Sequence, residues 1–201
     1  DTSLSWKQNT PFEVSDRLWG LIEPLLPQVQ RRFRYPGRRR YPDRDCLNGI
    51  VEVARLGIPW PALVQKEGRP SGQTCWRRLD EWTRAGVWER VLEVLLGELD
   101  AVGVLDTRRL LLRHDGSGEK GGSETGPSPI DRGKPSSKIH LTCDAGGVPL
   151  AVEVSAGNLN ERGFLIGLVG AVADGGWLRA HRCPLLIADR GYDSQALREE
   201  L

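Results

Sequence analysis

An all-helical front half followed by a mixed α/β back half is the fold class that these 201 residues predict, on three observations. Between Ser15 and Ala101, apolar residues recur at the i, i+3, i+4, i+7 spacing of amphipathic helices. Beyond Gly103 the period changes. KIHLTCD (138–144) and PLAVEVSA (149–156) alternate apolar and polar residues around Ala145-Gly146-Gly147, the pattern of a hairpin. Two further apolar runs of strand length, RLLLRH (109–114) and LLIA (185–188), each deliver an aspartate followed closely by glycine.

Taken in order, residues 1–14 are polar and read as a flexible terminus, and residues 15–103 as one helical domain. SDRLWGLIEPLLP starts a helix with Ser15 as N-cap and Leu18, Leu21, Ile22 and Leu25 on one face, weakened at its end by Pro24. RRFRYPGRRRYPDR (31–44) holds seven arginines and two prolines. It is too broken for a helix and too charged for a core, so it reads as an exposed basic arm. A second helix is expected over Asp43–Leu56, with Leu47, Ile50, Val51 and Ala54 on one face and Gly57 as its stop. A short helix over Trp60–Glu67, a turn at GRPSG and a longer helix over Gln73–Ala85 follow. The last helix of this half, Val87–Ala101, carries the broad stripe Val91, Leu92, Leu95, Leu96 and Leu99. Trp19, Trp60, Trp76, Trp82 and Trp88 recur where helices must pack and are assigned to the core.

The back half, 104–201, reads as strand, long Gly/Pro/Ser-rich loop, hairpin, buried helix (FLIGLVGAVADG, 164–175) and strand. Gly191 is expected to let the chain turn into a final helix beginning near Asp193 or Ser194. The net charge of +1 conceals an asymmetry: residues 1–110 carry 18 Lys/Arg against 15 Asp/Glu, and residues 111–201 carry 10 against 12. Cys46, Cys75, Cys143 and Cys183 are far apart and lack zinc spacing, so reduced thiols and a cytoplasmic setting are expected. No stretch reaches the roughly 18 apolar residues of a membrane span. The sequence lacks Met and ends on EEL within a helical pattern, so the natural chain is expected to extend further.

Two chemistries are suggested. A short helix, a glycine-containing turn and a second helix follow a helix-turn-helix outline. With Cys75, Leu79 and Trp82 inward, Gln73, Arg77, Arg78 and Arg84 point outward, where a DNA groove could meet them. Arg31, Arg32, Arg34, Arg38, Arg39 and Arg40 of the arm could contact phosphates. In the back half, Asp115 and Asp189 lie at equivalent strand ends. If the strands are neighbours, the two carboxylates converge and suit a hard divalent cation, Mg²⁺ or Mn²⁺, of the kind that activates phosphodiester chemistry. His114 and His140 lack metal-ligand spacing and read as ordinary strand residues, and Asp144 and Asp193 as turn residues.

The chain resembles bacterial insertion-sequence transposases of the DDE class, in the insertion-sequence-four/five superfamily. The blocks that carry the resemblance are LWGLIEPLLP (18–27), CLNGIVEVARLGIPW (46–60), TCWRRLDEWTRAGVWERVLEVLL (74–96), TGPSPIDRGKPSSKIHLTCDAGGVPLAVEVSAGN (125–158) and ADRGYDS (188–194). The resemblance implies a DNA-binding helical region and an incomplete ribonuclease-H-like catalytic domain. In that fold the first acid, matching Asp115, lies on the first strand, and the second, matching Asp189, follows the fourth. The family's third acid is a glutamate on a later helix. Glu199 and Glu200 follow Asp189 too closely to take that role.

The implied activity is metal-dependent cleavage of element ends and transfer of the 3′-hydroxyl to target DNA. Its partner is double-stranded DNA, bound by a homo-oligomer at the nucleoid. With two of three acids, these residues alone are expected to be inactive. The alternative is a non-catalytic DNA-binding remnant or regulator of transposition.

Overall fold

The computed structural model describes residues 13–30, 33–35, 37–63, 68–118, 124–129, 132–178, 185–192 and 194–200. The chain divides into two compact units, Asp1–Val94 and Leu95–Leu201. The division falls inside helix Val87–Ala101 rather than after Gly103.

In the first unit, α1 (Asp16–Ile22) is capped by Ser15, whose Oγ accepts from the Leu18 amide at 3.3 Å. Pro24 then tightens the chain into a 3₁₀ turn over Glu23–Leu25. α2 spans Asp43–Leu56, with Asp43 and Asp45 favourably placed in its first turn. It stops at Gly57, whose φ of 61° is the left-handed conformation that glycine adopts without strain. Cys46, Leu47, Gly49, Ile50 and Val53 form its buried face. The stripe is therefore rotated from the expected one: Val51 is half-buried and Ala54 exposed.

The short helix expected over Trp60–Glu67 is a 3₁₀ turn over Trp60–Ala62, with Pro61 in its first positions; residues 64–67 lie outside the described residues. α3 (Gly72–Arg84) starts at Ser71, whose Oγ accepts from the Thr74 amide. It buries Cys75 and Trp82 against α2 and half-buries Leu79. Glycine at 72 is a matter of space, since a Cβ there would lie 1.8 Å from the Trp60 carbonyl oxygen. Of the five tryptophans assigned to the core, Trp82 alone is buried, at 1% exposure, with the Trp88 ring edge-on to it at 5.9 Å. Trp19, Trp60 and Trp88 are half-buried, and Trp76 is 44% exposed. Cys46 and Cys75, from α2 and α3, are buried free thiols, as is Cys143. α4 is Val87–Ala101, with Val87, Val91 and Leu96 buried.

The second unit is built on one sheet: β1 (Arg109–Gly118), β2 (Gly126–Pro127), β3 (Pro135–Cys143), β4 (Pro149–Ala156) and β5 (Leu185–Ala188). β3 pairs antiparallel with β1 along one edge, and β4 and the short β2 follow each other on its other edge. β5 joins β1 in parallel. β1 and β3 thus run further into the expected long loop than alternation suggested.

The hairpin turn is held by Asp144, fully buried, whose carboxylate accepts from the Val148 amide at 2.7 Å and the Asp106 amide at 2.9 Å. α5 (Arg162–Asp174) packs on β3 and β4 and buries Leu165, Leu168 and Val172. α6 (Gln195–Glu200) follows Ser194, whose Oγ accepts from the Leu197 amide. Among the described residues, no helix is long and apolar enough to cross a membrane.

Candidate functional site

Strand alternation sorts the sheet into two faces. Leu110 and Leu112 of β1 and His140 and Thr142 of β3 are buried on the face that α5 covers. The alternate residues Leu111, Arg113 and Asp115 therefore lie on the opposite face, with Ile139, Val152, Val154 and Ile187, which are 40–51% exposed. Asp115 lies on this open face, and Asp189, just past the end of β5, lines clefts on both sides of the strand end.

β1 and β5 are neighbours, as the acidic pair requires, in the register Leu111↔Ile187 and Leu112↔Ala188. Asp189 follows the last ladder pair and stands level with Arg113, and Asp115 lies two residues further along β1. With strands ~4.8 Å apart and a rise of ~3.3 Å per residue, the two Cα atoms are roughly 8 Å apart, within reach of one shared cation. Both aspartates are exposed. A cleft of about 420 Å³ opens at this seam, lined in part by Leu111, Arg113, His114, Ile187 and Asp189. The donor chemistry fits a hard cation, since both groups are exposed carboxylates, Asp189 lining the cleft and Asp115 two residues along β1 from its Arg113. Among the described residues, no group of three or more His, Cys, Asp or Glu side chains is disposed to hold a metal.

Behind Asp189 lies an anchor that the sequence reading did not find. The chain leaves β5 through a 3₁₀ turn over Arg190–Tyr192, closed by the Tyr192 amide on the Asp189 carbonyl at 3.0 Å. Gly191 is not in the left-handed region, so the turn does not need glycine for its handedness. Tyr192 is 1% exposed, and its hydroxyl meets His140 Nδ1 at 3.0 Å and the Arg113 carbonyl at 3.4 Å. His140, itself fully buried, bonds Ser155 Oγ through Nε2 at 2.8 Å and stacks on Phe164 with centroids 4.3 Å apart.

Burial, followed by the nearby His114, depresses the His140 pKa and keeps the imidazole neutral. Burial, then the charges of Glu161 and Asp189, pushes the Tyr192 hydroxyl up to about 12. Glu161 pairs with Lys138, which holds its carboxyl below the usual range, and lies 3.7 Å from His114 Nε2. The sequence signal for this anchor was the tyrosine of DRGYDS together with a histidine alternating among buried residues of β3.

The candidate DNA-contacting residues divide. Arg31 and Arg32 lie outside the described residues. Arg34, Arg38, Arg39 and Arg40 are exposed as expected. The Arg38 guanidinium lies 6.0 Å from the Tyr41 ring centre, and Arg40 pairs with Glu81 at 2.6 Å. Gln73, Arg77 and Arg84 project into solvent from α3, Arg84 pairing with Asp80 one turn back.

Arg78 corrects the expectation that it points outward: it is 6% exposed and pairs with Asp43 of α2. At i, i+3 from Cys75 and i, i+4 to Trp82 it falls on the inward face, and its length lets the guanidinium reach a carboxylate at the rim. In its place Trp76 joins the exposed face beside Gln73, at the edge of a groove of about 700 Å³ shared with Trp60 and Pro61.

Comparison with known proteins is consistent across both units. Residues 14–92 match the family described as putative transposase of IS4/5 family, and residues 100–201 match the transposase DDE domain. The insertion element IS402 uncharacterized 16.2 kDa protein of Burkholderia cepacia is 43% identical over 113 residues, covering 53% of this chain and 77% of that protein. The putative transposase for insertion sequence element IS402 of the same organism is 42% identical over 84 residues, 40% of this chain and 40% of the relative. No solved structure matches. DDE transposase domains generally work with a divalent metal. With one aspartate within β1 and another just past the adjacent β5, a helical front unit and matches that run nearly from end to end, the chain belongs to the IS4/5 family of insertion-sequence transposases.

Proposed function

We propose that this chain binds the ends of its insertion sequence through the helical unit, and that Asp115 and Asp189 hold the Mg²⁺ or Mn²⁺ of end cleavage and strand transfer. The observation that carries the reading is the parallel β1–β5 pair, which brings the two aspartates to neighbouring positions of the sheet. The order β4-β3-β1-β5, with Asp115 on the first of these strands in sequence and Asp189 just after the last, supports a ribonuclease-H-like reading of the sheet. The exposed arginines Arg34, Arg38 and Arg39, with Gln73 and Arg77 on α3, supply a basic face for duplex DNA. A homo-oligomer joining two element ends, working at the nucleoid, belongs to the same reading.

The divalent cation, when bound, supplies Lewis-acid activation of the nucleophile and charge stabilisation at the leaving oxygen. The chain's own part is positional. The β1 ladder holds Asp115, the end of β5 holds Asp189, and the Tyr192–His140 anchor fixes the turn behind Asp189. In cleavage, a water oxygen bonds to phosphorus and the P–O3′ bond breaks, its oxygen taking the proton. In transfer, the oxygen of that 3′-hydroxyl bonds to a target phosphorus, the target P–O3′ bond breaks, and the proton goes to the departing 3′ oxygen.

The test is Mn²⁺ binding followed by electron paramagnetic resonance, alongside Mg²⁺-dependent nicking of element-end DNA. Asp115→Asn and Asp189→Asn are expected each to weaken Mn²⁺ binding at least ~10-fold while leaving DNA affinity intact. Because no third acidic ligand joins the pair among the described residues, nicking by these 201 residues alone is expected to be weak or undetectable. The same observation favours, as a second reading, a non-catalytic DNA-binding regulator. Metal binding that ignores both aspartates supports that reading over the first.

A further inference from the structure

We infer that Arg113 is a phosphate-binding residue of the acidic site and takes the scissile phosphodiester of DNA on the open face of the sheet; this rests on the metal reading of Asp115 and Asp189. Arg113 neighbours both carboxylates in the lattice of the sheet, Asp189 across the strand pair and Asp115 along β1. It shares a strand face with Asp115 and stands one position beyond the Leu112↔Ala188 pair, level with Asp189. Its side chain is exposed and lines the cleft that Asp189 lines. Leu112 beneath it is 1% exposed and packs into the core, so β1 holds the arginine rigidly at its root. Among the described residues the guanidinium makes no salt bridge, unlike Arg40, Arg44, Arg69, Arg78, Arg84 and Arg108.

Charge decides what this cation is for. Two carboxylates and one divalent cation sum to zero, and Arg113 then leaves one positive charge in the cleft. A fixed cation within about 5 Å of a metal site opposes metal binding. The position is therefore costly for a site that holds metal alone. It becomes favourable when the ligand set includes one singly charged phosphodiester, which restores neutrality and which a guanidinium can grip through two parallel N–H donors. Aspartates and arginine together make a site for the metal–phosphodiester combination.

The experiment measures two affinities on the full chain, for Mn²⁺ alone and for an element-end duplex alone, in Arg113→Gln and Arg113→Lys. Far-ultraviolet circular dichroism serves as the folding control. The expected result for Arg113→Gln is opposite signs: Mn²⁺ binds ~3–10-fold more tightly, while the duplex binds ~3–10-fold more weakly, with its log–log salt slope reduced by ~0.9. Arg113→Lys keeps the charge and is expected to restore most of both. Duplex affinity and salt slope both unchanged in Arg113→Gln, or affinities for Mn²⁺ and DNA that fall together, would overturn the assignment. Asp115→Asn and Asp189→Asn separate the two failures. If they leave Mn²⁺ binding unchanged, the metal reading falls and this assignment with it. If they abolish it while Arg113→Gln leaves DNA binding alone, only the Arg113 assignment falls.

Discussion

His140 shows how one buried side chain ties site geometry to pH. Its ring is fully buried between Tyr192, Ser155 and Phe164, and burial holds its pKa below the ordinary 6.5. The unfolded chain therefore binds a proton near pH 6.5 that the folded chain refuses until lower pH. Stability is full above about 6.5 and declines as pH falls from there toward the depressed folded value. Thermal melts of the wild type are expected to shift downward between pH 7 and 5, and His140→Gln to lose most of that slope. Tyr192→Phe removes the hydroxyl and leaves His140 Nδ1 without its partner, a cost of about 1–2 kcal/mol read in denaturant melts. Arg78→Ala strips a partner from Asp43 and empties a buried position, for about 2 kcal/mol, discounted because the Asp43 carboxylate is partly solvated. Neither the His140–Tyr192 bond nor the Arg78–Asp43 pair was legible beforehand. Each joins residues far apart in sequence, and alternation or helical period gives the face of a side chain without naming what waits there.

Helix and strand limits followed local chemistry closely. Ser15, Ser71 and Ser194 cap the helices after them, Gly57 ends α2, and the alternation around Ala145-Gly146-Gly147 becomes β3 and β4. The misses are equally physical. Where apolar spacing suggested a helix, Trp60–Ala62 is a 3₁₀ turn that stops at Leu63, whose backbone is extended. Trp76 is exposed although tryptophan is usually drawn inward, because the inward positions of α3 are filled by Cys75, Arg78 and Trp82. The junction before α3 is the tightest of the first unit: Gly72→Ala is expected to cost about 2–3 kcal/mol, since the new methyl would collide with the Trp60 carbonyl. Ser71→Ala should cost about 1 kcal/mol by leaving the Thr74 amide uncapped. Chemical denaturation of the two variants checks both values and their order.

At the scale of the molecule, the proposed basic arm and the proposed acidic site fall in different compact units. Replacing Arg34, Arg38 and Arg39 together with alanine is expected to reduce the salt slope of duplex binding by up to ~3, one phosphate contact per arginine. A slope that does not move removes the arm from the interface. By itself, the sequence determined the helical front half, the mixed α/β back half and most element limits, because these depend on periodicity, capping and turn chemistry within a dozen residues; the expected strand end at Asp115 instead lies within β1, which continues to Gly118. Only the tertiary structure decided that β5 lies parallel beside β1 and that Arg113 neighbours both acids. Strand neighbours separated by most of a domain are chosen by core packing and hydrogen-bond register, which no local pattern specifies.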